Sequence, residues 1–372
     1  MQQTTAIGLT QIVAKDRSQS SGCADLVAQY DDLVSNKRLD WTTNLQIRKT
    51  LGSGGQGTVY LAIRTGSDNF TMPRAVKVFS PEQYSSPAAY DADMSRMGRV
   101  AAQVATIQDD HLLAVDHFFN RDRIRIMVME WIEGFDLRRL LTARMYGVTK
   151  ERVSRKRWEE LNRNLVTAGP VQPRLRPAAA ISLARDCLKG LAALHSEQIV
   201  HGDVKPANIM VKRSGRAKII DIGSAMDADG EQQCRACTPA YASPEVLKGA
   251  KPTEASDLVS LGYMAIELLT GRCLFDSAGD FDKLIAQKRA LPNVLEELLL
   301  DSLETGVVGD NAENTNGQST HQLVELCAAL LAAESEPEDS TKRLLAQMEE
   351  QFLSVDLSSH FRIWIEELLE LE

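Results

Sequence analysis

Residues 201–210 read HGDVKPANIM and place Asp203, Lys205 and Asn208 in one short loop. A carboxylate, an ammonium and an amide at that spacing suit phosphoryl transfer. The acid takes a hydroxyl proton, the ammonium holds a phosphate oxygen, and the amide binds a magnesium ion. Ile209, Met210 and Val211 then read as a strand that fixes the loop from behind. A hairpin follows, turning at Ser214 and Gly215, and its second strand ends at Asp221, Ile222 and Gly223. An acid at a strand end, thirteen residues after Asn208, is placed to chelate the same metal. Before the loop, Ile181, Leu183, Ala184, Leu188, Leu191 and Leu194 recur at helical spacing.

Further upstream, residues 51–63 read LGSGGQGTVYLAI, and Gly52, Gly54 and Gly57 form G-x-G-x-x-G. Dinucleotide folds share that pattern. Here the residues after it, TVYLAI, favour a strand over a helix start, so the motif reads as a flap between two strands. Glycines let backbone amides approach phosphate oxygens closely. Lys77 follows in RAVKVF, among apolar strand residues. A buried ammonium is costly unless paired, and a bound phosphate would pair it. The plain alternatives are an ordinary Gly-rich hairpin and a snorkelling edge lysine. Residues 124–141 read as strand, connector and helix. The connector can join two lobes and offer backbone hydrogen bonds to an adenine ring, with Met129 guarding the pocket and Asp136 near its mouth.

The chain has 372 residues, enough for one large two-lobed domain or two medium ones. A net charge of -9 argues against nucleic acid as partner. No apolar run reaches the roughly 18 residues that span a bilayer, and the polar start MQQTTAIGLTQ is no signal peptide, so no membrane and a cytoplasmic location are expected. Six scattered cysteines suggest no disulfide framework. Residues 1–44 form an extension whose Leu26, Tyr30, Leu33 and Val34 predict a short amphipathic helix. Residues 142–177 carry nine basic side chains against three acidic ones. They read as an inserted helix with Trp158, Leu161 and Leu165 inside, followed by an extended linker. This basic insertion is a solvated face or a dock for an acidic partner. Residues 301–320 read as a flexible insertion. The tail helix around Phe361, Trp364, Ile365, Leu368 and Leu369 is expected to pack on the domain, with a dimer contact as the alternative.

Taken together, these motifs resemble the protein-kinase superfamily in its eukaryotic-like serine/threonine branch. The resemblance covers roughly residues 45–352, in the family's motif order. It implies an α+β, two-lobed fold: a small antiparallel sheet with one helix at 45–130 and a mainly helical lobe at 133–352. It implies ATP and Mg2+ as cofactors and a protein hydroxyl as acceptor. By resemblance Leu51, Gly52, Gly54, Gly55, Gly57, Val59, Ala75, Lys77, Glu130 and Ile132 hold ATP. Asp203 is the base, Lys205 steadies the transferred phosphate, and Asn208 and Asp221 bind the metal. Thr238 shapes the acceptor pocket, SPE at 243–245 stands for the family's APE, and Asp257 and Gly262 match the large-lobe helix.

The sequence departs from that family at four points. HGD replaces HRD, so Gly202 stands where an arginine usually meets an activation-segment phosphate. DIG replaces DFG. No clear arginine pairs with Glu245; late in the chain only Lys342 or Arg343 is offered. No glutamate lies between Glu82 and Glu130 to pair with Lys77. A standard alignment puts an apolar residue near Val100 there, leaving Asp91, Asp93 or another acid as substitutes, or a helix that sits differently. Reduced or conditional activity is expected. Two rivals remain: a pseudokinase scaffold, and a small-molecule phosphotransferase, whose loop also begins H-G-D. Against the latter, Lys205 stands where that group has a histidine, and TPAYASPE is a protein-substrate platform. Cys234 and Cys237 form a lone C-x-x-C, either two plain thiols or a redox switch, and His201 reads as a neutral core histidine.

Overall fold

A computed structural model describes residues 44–228, 237–275, 280–304, 316–333, 340–352 and 355–370. β1 (Asn44–Gly54) and β2 (Gly57–Thr65) form a hairpin whose tip is Gly55 and Gln56. Gly57 has φ +136°, and a Cβ there would lie 2.0 Å from the Val78 carbonyl oxygen, so no other residue fits. β3 (Thr71–Phe79), β4 (Val115–Arg121) and β5 (Ile124–Glu130) complete an antiparallel sheet of order β1-β2-β3-β5-β4. Register pairs Val59 with Lys77 and Lys77 with Met127, so these side chains share one face. Ala62, Val76 and Val128 form a separate apolar cluster, set by the two-residue alternation on the other face.

One helix, α1 (Pro87–Val104), packs against β4 with Tyr90, Met94, Met97, Val100, Ala101 and Val104 buried at helical spacing. Ser86 Oγ accepts the Ala89 N–H at 3.1 Å and Pro87 opens the first turn. That cap starts the helix at Pro87.

The chain leaves the sheet through β6 (Gly134–Asp136), which pairs with β10 (Ile209–Lys212), itself paired with β11 (Ala217–Ile219). After α2 (Leu137–Leu140), residues 142–177 form two helices, α3 (Ala143–Arg152) and α4 (Arg155–Asn164), then a hairpin of β7 (Val166–Thr167) and β8 (Arg174–Leu175). The expected linker is thus a hairpin, because Arg176 N–H bonds Leu165 O at 2.9 Å and Gln172 N–H bonds Gly271 O at 3.1 Å. Trp158 lies half-buried against Tyr146, edge to face at 5.0 Å, while Leu161 and Leu165 are buried.

α5 (Pro177–Ser196) leads through β9 (Ile199–Val200) into the HGD loop, and β12 (Met226–Asp227) pairs with β9. α6 (Pro244–Leu247) precedes α7 (Glu254–Thr270), which is buried from Ala255 to Thr270. Thr253 and Ser256 close a capping box at its start, and Gly271 ends it in the left-handed region at φ +65°. α8 (Phe281–Glu304), α9 (Asn316–Leu331) and α10 (Ser340–Gln351) pack around α7. Helix therefore continues through residues 301–304 and resumes at Asn316, inside the stretch expected to be a flexible insertion. α11 (Ser358–Leu369) buries Phe361, Trp364, Ile365 and Leu368 against α3, α4, β6 and β10. The helix expected around Leu26 and the thiol of Cys234 lie outside the described residues. No helix among the described residues is long and apolar enough to cross a membrane.

Candidate active site

The HGD loop is held from beneath by one carboxylate. Asp257, 1% exposed near the start of α7, accepts His201 N–H and Gly202 N–H at 2.8 Å each, and its Oδ2 lies 3.0 Å from His195 Nε2. Gly202 itself has φ +75°, a conformation costly for side chains with a Cβ. His201 is fully buried, and its Nδ1 accepts the Asp203 N–H at 3.3 Å.

That support presents a four-residue cluster. Lys205 Nζ donates to Asp203 Oδ2 at 2.6 Å and to Thr238 Oγ1 at 2.7 Å. Thr238 Oγ1 in turn donates to Asp203 Oδ1 at 2.7 Å. Asn208 Nδ2 donates to the Asp203 carbonyl at 2.8 Å and to Oδ2 at 3.1 Å. An amide that spends its N–H groups this way keeps its carbonyl oxygen as the ligand atom.

Across the cleft, Asp221 sits at φ +63° and accepts the Gly223 N–H at 3.0 Å. Lys77, 7% exposed, donates to Asp221 Oδ1 at 2.7 Å and to Gln56 Oε1 at 2.8 Å. Burial alone would raise the Asp221 carboxyl, but the Lys77 ammonium and the Gly223 N–H outweigh it and hold it below the usual carboxylate range. Asp221 and Asn208 are hard oxygen donors, suited to a small divalent cation that takes its other ligands from phosphate and water. Among the described residues no group of three His, Cys, Asp or Glu forms a closed metal cage.

The other residues expected to hold ATP fall as follows. Leu51, Gly52 and Gly54 lie on exposed β1, Gly55 at the hairpin tip, and Val59 and Ala75 on the Lys77 face of the sheet. Ile132 is buried just past β5. Glu130 turns its side chain to structure: Oε1 accepts the Ala114 N–H at 2.6 Å and Lys218 Nζ at 2.5 Å. Asp136 caps α2 by accepting the Arg139 N–H at 2.9 Å, and burial raises its carboxyl above the ordinary range.

Neither proposed substitute for the missing glutamate reaches Lys77. Asp91 pairs with Arg123 and Arg125, while Asp93 pairs with Arg96 at 2.9 Å and accepts the Tyr84 hydroxyl at 2.6 Å. Val100 is buried in the core, and the α1 residue that reaches the metal loop is Arg96. It donates to the carbonyls of Ala225 and Gly223. Near Glu245 lies Lys288 of α8, which the sequence did not single out. Lys288 donates to the Ala240 carbonyl at 2.7 Å and lies 4.0 and 4.1 Å from the Tyr263 and Phe275 ring centres. Beside it Tyr241 donates to Glu267, which also accepts from Gln172 at 3.0 Å, tying the acceptor segment to the insertion. Nothing in the sequence marked Arg96, Lys288 or Glu267, since each acts across elements far apart in the chain. Gln56 was visible as the long polar residue among glycines.

Comparison with known proteins gives the family of this two-lobed α+β fold. The chain belongs to the protein kinase domain family, whose family model matches residues 45–350. Serine/threonine-protein kinase PrkC of Bacillus subtilis is 27% identical over 237 residues, 62% of this chain and 31% of the relative. Serine/threonine-protein kinase pkn2 of Myxococcus xanthus is 27% identical over 306 residues, 77% of this chain and 32% of that protein. Serine/threonine-protein kinase PknL of Mycobacterium tuberculosis is 32% identical over 247 residues, 65% and 53% of the two chains. The chain thus spans about a third to a half of the length of these relatives.

Proposed function

We propose that this chain is a magnesium-dependent serine/threonine protein kinase acting on a protein hydroxyl in the cytoplasm. The observation that carries the reading is the single network joining Asp203, Lys205, Asn208 and Thr238, with Asp221 and Lys77 facing it. The names of the bacterial relatives support the same substrate class. The acceptor oxygen attacks the γ-phosphorus of ATP, the bond to the ADP oxygen breaks, and the hydroxyl proton passes to Asp203. Lys205 neutralises charge on the transferred group, and Lys77 holds the phosphates that remain on ADP. Asn208 and Asp221 would hold Mg2+, which when bound neutralises phosphate charge. Thr238, bonded to both Asp203 and Lys205, sets where the acceptor lies.

The loop does not need an arginine at 202. Asp257 already fixes its backbone, so activity is expected without phosphorylation of the activation segment. The insertion offers a smaller cationic face than its count suggests. Arg174 is buried on the Ser302 carbonyl, Arg176 Nε bonds the Asn162 carbonyl at 2.9 Å, Arg155 pairs with Glu159, and Arg157 lies 4.0 Å from Glu367. Binding of an acidic partner would therefore fall to Arg144, Lys150, Arg152, Lys156 and Arg163. The test is phosphate transfer from ATP with Mg2+ to a protein acceptor or to the chain itself, with Asp203→Asn as control. A purified wild type that transfers no phosphate defeats this reading.

A further inference from the structure

We propose that Gln56, at the tip of the Gly-rich hairpin, is the positioning residue for Lys77, doing from the sheet what no acid on α1 does. The inference rests on the kinase reading and adds a residue to it. Four observations converge on the assignment.

The first is the contact. Lys77 has two hydrogen-bond acceptors, Asp221 Oδ1 at 2.7 Å and Gln56 Oε1 at 2.8 Å. The second is the disposition of α1. Its two acids are engaged by Arg123, Arg125, Arg96 and Tyr84, and at the metal loop the helix presents a cation, Arg96.

The third is anchorage. The Gln56 carbonyl accepts the Ser80 N–H at 3.1 Å, just beyond the end of β3, the strand that carries Lys77. Gly57 is pressed against the Val78 carbonyl on the same strand. The tip is thus tied to the lysine's own strand, so its amide stays in register with the ammonium. The fourth is the space made for the side chain. A Cβ on Gly223 would fall 2.2 Å from Gln56 Oε1 and 3.0 Å from its Cδ, so the amide occupies room that only a glycine leaves open.

The choice of amide over acid follows from electrostatics. Asp221 already lies 2.7 Å from the ammonium, and phosphates enter the same cleft. An amide oxygen orients Lys77 without adding charge beside Asp221 and the entering phosphates. The position of Lys77 therefore depends on closure of the hairpin, which couples lysine placement to loop order.

The experiment compares wild type with Gln56→Met, which keeps length and removes the acceptor, in MgATP titration calorimetry and in steady-state turnover. A hydrogen bond to an ammonium is worth about 1.5–3 kcal/mol, so Gln56→Met is expected to weaken MgATP binding and kcat/KM for ATP roughly ten- to hundredfold. The melting transition of Gln56→Met checks that the variant is folded. In a Lys77→Met background the Gln56→Met effect on MgATP affinity should vanish, which a merely structural role would not produce. Unchanged or tighter MgATP binding by Gln56→Met would falsify the assignment, the tighter case making Gln56 a plug. A wild type that binds no MgATP overturns the kinase reading itself.

Discussion

On the helical wall of the cleft, Asp203 takes its partners Lys205, Thr238 and Asn208 from one side of the molecule, above a buried carboxylate on α7. On the sheet wall, Lys77 is held by a hairpin tip and by Asp221 across the cleft. The first wall rests on the helical core, and the second spans from the hairpin tip to the Asp221 loop. If the chain acts as proposed, the proton acceptor belongs to the first wall and the phosphate grip to the second.

Four substitutions probe that contrast. Asp203→Asn should lower turnover most, by about 10²–10⁴-fold with MgATP binding retained, as measured by phosphate transfer and calorimetry. Asp257→Ala leaves His201 and Gly202 N–H groups buried without an acceptor. It should cost about 2–5 kcal/mol in denaturant unfolding and lower turnover less than Asp203→Asn does, loosening the support of the first wall. Arg96→Met removes two bonds from α1 to the metal loop. Turnover is expected to fall about tenfold through a loss of roughly 1–2 kcal/mol, and hydrogen exchange should rise in α1 while α7 stays protected. If exchange rises equally in both helices, the walls are not independent.

The smallest effect concerns pH. Burial lowers Lys288 to about 7 from its ordinary 10.5. Between those values the unfolded chain carries a proton that the folded chain lacks, so this residue makes stability rise with pH across that window. Measured as melting temperature, wild type should gain on Lys288→Met between about pH 7 and pH 10. A constant gap would show that Lys288 stays charged against its two rings.

The helical wall was legible because its residues fall within short motifs, where spacing alone brings side chains together. HGDVKPAN contains three of the four cluster members, and the DIG acid follows one hairpin later. The sheet wall was only half legible. Lys77 and the glycines could be read, but the fate of Asp91 and Asp93 depends on how α1 is rotated against β5, which no local pattern encodes. Lys288 was hidden for a related reason: the family's late arginine was sought near residue 342, whereas a cation from α8 lies against the acceptor segment. The 142–177 insertion read correctly as containing a helix, yet its second helix α3 and its hairpin depend on partners, Gly271 and Trp364, that lie far along the chain.

Trp364 Nε1 donates to Thr149 Oγ1 at 3.0 Å, with both groups buried. The last helix is thereby a keystone for the insertion and for the strand that leaves the connector. Shortening the polypeptide at residue 350, where the family match stops, would strip the cover from α3, α4, β6 and β10 together. A truncation there, or a fusion joined ahead of Phe361, is expected to destabilise the insertion rather than trim a dispensable tail.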